Sequence, residues 1–175
     1  MNEVFYASAV IAIVATLMAI TRLNAVHALI YLIVSLLAVA VIFYVLGAQF
    51  VAALEVIIYA GAIMVLFLFA IMVLGLTPEP TEQERQWFLS PGMLVGPAIL
   101  AAILLGELIY ILTAGGGQAA GVQIVDPKQV GITLFGPYLL GVELASLLLL
   151  AGLIGAYHLG RRMTGQPDGS AEEEQ

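Results

Sequence analysis

Three glutamates stand inside stretches otherwise apolar enough to cross a bilayer: Glu55, Glu107 and Glu143. A carboxylate at the centre of a membrane helix costs roughly 3 kcal/mol on insertion scales, so each needs a reason. One reason is chemical. Carboxyl groups that line a hydrated membrane interior are the usual carriers of proton relays. The other is structural, with each acid hydrogen-bonded across to a neighbouring helix as glue. At about 1.5 Å per residue, all three lie some 8–9 Å from the same membrane face, which favours a shared layer. Glu55 has the richest surroundings. Tyr59 follows four residues later on the same helical face, and Ala52 and Ala62 extend that stripe. A face of small residues with one acid and one phenol suits a close partner helix with a buried polar contact. Tyr59 can equally be a packing residue. Gly61 sits near the middle of the same run, where glycine costs about 1 kcal/mol relative to alanine. It permits close packing, or it marks a π-bulge, an irregularity that favours functional sites. His27 and His158 lie near the same membrane face and would be the pair to ligate a haem, against the simpler reading of interfacial histidines. Ser146, three residues after Glu143, is placed to hydrogen-bond it. No nucleophile–base pair, phosphate-binding glycine loop or metal-ligand cluster accompanies these residues.

The elements that must hold them follow from composition. The 175 residues are 62% hydrophobic and 10% charged, with a mean hydropathy of +1.09. A soluble domain carries about 25% charged residues. The sequence therefore predicts an all-α membrane protein. Five apolar runs meet the span requirement of about 20 residues: 4–20, 28–46, 50–76, 93–113 and 138–157. None alternates as a barrel strand would, and helices are the remaining way to satisfy the backbone in lipid. The acidic start, Glu3, argues against reading the first run as a cleaved signal peptide. There is no cysteine, which excludes disulfides, thiolate metal sites and iron–sulfur clusters. Five basic residues and a net charge of -7 give nucleic acid nothing to bind.

With five spans, Arg22, Arg85, Arg161 and Arg162 share one side and Lys128 is on the other. The positive-inside rule then places the N-terminus outside and the C-terminus in the cytoplasm. The loop 77–92 is polar and proline-rich, with Trp87 and Phe88 at headgroup level. The loop 114–137 starts with glycine and alanine and ends apolar, as expected of a segment at the interface or docked on a neighbour. Residues 1–164 read as one five-helix domain and 165–175 as an acidic disordered tail. No internal repeat divides the chain into transporter-like halves.

The third run adds a resemblance. Residues 54–69, LEVIIYAGAIMVLFLF, closely resemble the signature of the chain J (subunit 6) family of proton-pumping NADH–quinone oxidoreductase, in the membrane arm of respiratory complex I. Residues 24–32, NAVHALIYL, resemble the block that opens the family's second span, with Ala25 where the family often has proline. Leu134-Phe135, Tyr138 to Leu140, Glu143 to Ser146 and Gly155-Ala156 resemble the block of its last span. The 77–133 region and the acidic tail match only in general character.

The resemblance implies a subunit of a bacterial inner-membrane redox pump, with no redox centre of its own. NADH, flavin, iron–sulfur clusters and quinone would be bound elsewhere in the complex. It implies a third helix that changes between π-bulged and α forms around Tyr59 to Val65 and so opens or closes a water path along the small neighbouring chain K. Glu55 would be a relay or field-setting carboxylate on that path. Glu107 and Glu143 would be further relay candidates. Tyr59, Gly61 and Val65 would form the switch. A subunit of the related cation/proton antiporter complexes, a purely structural assembly subunit and a haem carrier are the rival expectations.

Overall fold

A computed structural model describes residues 2–73, 92–113 and 124–163. All five expected spans are present as helices. Helix α1 is Asn2–Thr21 and α2 is Ala25–Val45. The third span runs without interruption through α3 (Gln49–Leu54), a π-segment (Glu55–Ile63) and α4 (Met64–Val73). Then come α5 (Gly92–Thr113), the short α6 (Pro127–Leu134) and α7 (Leu139–Met163). The polar loop with Trp87 and Phe88, the glycine-rich start of the next loop and the acidic tail lie outside the described residues.

Several boundaries differ from the sequence expectation, each for a local reason. Helix α2 begins three residues earlier than 28 because Asn24 caps it. The Asn24 Oδ1 accepts the N–H groups of Val26 and His27 at 3.0 and 3.3 Å. That draws His27 into the first helical turn, where it is buried. The far end of α2 closes in a Schellman turn. The N–H of Ala48 donates to the Phe43 carbonyl at 2.9 Å and that of Gly47 to Tyr44 at 3.1 Å. Gly47 has φ of 83°, which only glycine adopts without strain. The 114–137 loop is not loop throughout, since residues 127–134 form α6. The last helix extends past 157 to Met163.

Helices α1, α2 and α5 build the core of the unit that covers residues 1–126. From α1 come Val4, Ile11 and Ala15, with Ser8 completing the same i, i+4, i+7, i+11 stripe. From α2 come Val34, Ala38, Val41 and Val45 on the same spacing, and from α5 Leu104 and Ile111. Ala15 and Ala38 are completely inaccessible. Small residues let helix backbones approach closely, which is how packing holds helices together where water cannot drive them. The third span packs on α2 along its whole length. The unit from residue 127 onward holds α6 and α7, joined by a turn in which Tyr138 N–H donates to Thr133 and Leu139 N–H to Gly136.

Candidate functional site

Glu55 is the first residue of the π-segment and is half-buried. Nine consecutive residues, EVIIYAGAI, take the π form. Such helices are rare beyond a single turn and concentrate at functional sites. The N–H of Met64 reaches back to the carbonyl of Tyr59, five residues earlier. A Cβ placed on Gly61 would stand 3.2 Å from the carbonyl oxygen of Val56, again five residues earlier. The glycine is thus fitted to its own widened helix, and the close-packing explanation gives way to the bulge.

Burial shows why the bulge matters to packing. The π-segment itself buries no residue, and the third span is anchored by Ala52 before it and Met64 after it. These two are twelve residues apart. On a regular α-helix that separation turns through about 1200°, or 120° away from whole turns. One inserted residue removes about 100° and brings both to within about 20° of a common face. An irregularity of this kind thus draws the two buried anchors of the span toward one face.

The same geometry alters the expected stripe. Ala52 is buried, Glu55 half-buried, and Tyr59 and Ala62 exposed, so the four do not share one packed face. Tyr59 and Gly61 lie inside the π-segment. Val65 lies beyond it, as the second residue of α4, and is 62% exposed. The irregularity begins four residues before the expected Tyr59 and ends where Met64 must face inward.

The other two acids part company with Glu55. Glu107 on α5 accepts a hydrogen bond from the hydroxyl of Ser8 on α1 at 2.7 Å. Ser8 is fully buried, and the pair bridges helices 99 residues apart in sequence. The bond ties the two helices together. A second polar seam joins α1 to α2. Ser35 donates to the Ala12 carbonyl at 3.1 Å, and its oxygen lies 2.7 Å from that of Thr16. Sequence reading passed over Ser8 and Ser35, although Ser8 falls on the buried spacing of its helix. Glu143 belongs to α7 in the other unit and is exposed. Ser146 does not hydrogen-bond it. Its hydroxyl donates to the carbonyl of Val142 at 2.9 Å, the ordinary back-bond of a serine in a membrane helix. His27 and His158 fall in different units, the first buried and the second exposed.

The Ser8–Glu107 bond makes a direct prediction. Ser8→Ala should lower the stability of the folded chain by about 0.6–1 kcal/mol, the usual worth of such bonds in membranes. Glu107→Gln keeps an acceptor and should cost less. Thermal unfolding in detergent measures both, and equal effects would remove the pairing as the reason for Glu107.

Among known proteins, a profile described as NADH-ubiquinone/plastoquinone oxidoreductase chain 6 matches residues 15–159. The chain is 57% identical over 163 residues to NADH-quinone oxidoreductase subunit J of Pseudomonas aeruginosa, covering 93% of this chain and 98% of that one. It is 55% identical over 161 residues to subunit J of Escherichia coli K12, covering 92% and 87%. A subunit J of Buchnera aphidicola is 38% identical over 161 residues, covering 92% and 98%.

Proposed function

This chain belongs to the NADH-ubiquinone/plastoquinone oxidoreductase chain 6 family, and from that premise we propose how its third span contributes to proton pumping. It is a multi-pass inner-membrane subunit of NADH–quinone oxidoreductase, the respiratory complex I that couples electron transfer to quinone with proton translocation. Other complex I subunits are its partners. The redox cofactors sit in those subunits and not in this one.

The proposal concerns Glu55 and the π-segment. One observation carries it: the nine-residue irregularity lies between the two buried anchors of the third span and begins at its only acid. Converting the segment to regular α form must turn α4 by about 100° against α3. Tyr59 rides on the segment, and Val65 rides on α4, so both sweep across the exposed side. Gly61 makes the bulged form sterically free. A two-state helix of this kind couples a distant event to a local opening. Glu55, at the pivot, acts as a relay or field-setting carboxylate beside the opening. The small chain K is the neighbour we assign to the face that bears Tyr59, which is 47% exposed on this chain.

Glu55→Gln tests the assignment. It keeps shape and removes the ionisable group. Proton pumping and quinone-linked turnover should fall roughly two- to fivefold, on the order of 0.4–1 kcal/mol of barrier, with assembly intact. Proton uptake by vesicles and NADH oxidation measure this. Full coupled activity in the variant counts against Glu55 as a relay.

A further inference from the structure

A crevice of about 510 Å³ opens between α2, the third span and α5. Its walls run from Leu37 to Tyr44, from Gln49 to Val56 and from Ala101 to Leu108. Each stretch covers seven residue steps, or about 10 Å along its helix. All three lie in the half of the unit beside the 45–49 turn, so the crevice spans most of one leaflet, about 15 Å of hydrocarbon. The walls are aliphatic apart from Tyr44 and Gln49. Those two residues flank the turn, at the level where chain and headgroup meet in a lipid. Polarity is thus graded along the crevice as it is along a phospholipid: hydrogen-bonding groups at the membrane surface, hydrocarbon below. Alanines at 52, 53 and 101 keep the space open.

We propose that this crevice binds one acyl chain of a membrane phospholipid, with Gln49 and Tyr44 hydrogen-bonding the ester and glycerol region. Of its walls only Val56 lies in the π-segment. Bound there, the acyl chain covers Leu105, which is 58% exposed, and it belongs to the subunit's packing rather than to exchanging bulk lipid.

The intact complex, reconstituted with phosphatidylethanolamine carrying a diazirine on one acyl chain, provides the test. Illumination should label peptides containing residues 49–56 and 101–108, and excess unlabelled phospholipid should remove the label. Ala53→Phe and Ala101→Phe, which fill the space, should reduce labelling at least fivefold. Absence of label there in the unmodified complex overturns the proposal, whether or not the variants assemble. So does label that the filled variants retain, or that isoprenoid quinone displaces and phospholipid does not. A cross-link from a photoreactive residue at Leu105 to another subunit's polypeptide would assign the crevice to a protein contact instead.

Discussion

Gly61→Leu should lower proton pumping per NADH oxidised about tenfold, equivalent to about 1.4 kcal/mol, while electron transfer to a hydrophilic acceptor at the peripheral subunits continues. The cause is local. In the bulged form a Cβ at this position meets the Val56 carbonyl at 3.2 Å, closer than nearly all real Cβ contacts. To admit a side chain, the Val56 carbonyl must give by a few tenths of an ångström. In the α form the obstruction is relieved, and leucine is favoured over glycine by roughly 0.5–1 kcal/mol. Both effects push the segment toward the regular helix. Gly61→Ala should act in the same direction and more weakly, about twofold. Proton uptake by inverted vesicles, normalised to NADH consumed, gives the comparison. Wild-type pumping and turnover in Gly61→Leu would remove the register change from the mechanism.

The second large effect lies at Gly96. A Cβ there would collide with the hydroxyl of Tyr31. Tyr31 is buried on α2, and the Arg22 guanidinium lies over its ring, 5.3 Å from the centroid. Tyr31, being buried, has little room to move aside. Gly96→Ala should therefore destabilise the subunit by about 1–3 kcal/mol, the range for overpacked cores. The yield of assembled complex should fall several-fold, and Gly96→Val should leave almost none. The double variant Gly96→Ala with Tyr31→Phe deletes the colliding oxygen and should recover most of the yield. Assembly seen on native gels decides the matter, and a double variant no better than Gly96→Ala alone would show that the hydroxyl contact is not what requires glycine.

These two glycines differ in how far the sequence betrayed them. Gly61 stands in a long apolar run beside an acid, a combination that signals irregularity. Gly96 stands near the start of an ordinary span and gives no such sign. Its importance comes from Tyr31, 65 positions away in the chain. Ser8 is similar: nothing in its own neighbourhood announces that Glu107 is its acceptor. The three intramembrane acids were legible as a group, and their different surroundings were not. Glu107 is spoken for by Ser8, Glu143 is exposed on α7, and Glu55 alone sits at a helical irregularity.

The number of spans, their places in the chain and their exclusion of soluble chemistry were settled by sequence, because transfer into a bilayer depends on each segment's own side chains and length. So were the identity of the acids and the weak point of the third helix. The extent of the π-segment, the early start of α2 and the partners of Glu107 and Tyr31 were decided only in three dimensions. Burial of Ala52 and Met64 against the rest of the unit is a condition on two distant residues at once. A regular helix would set them about 120° apart, and no local preference in the chain states the condition.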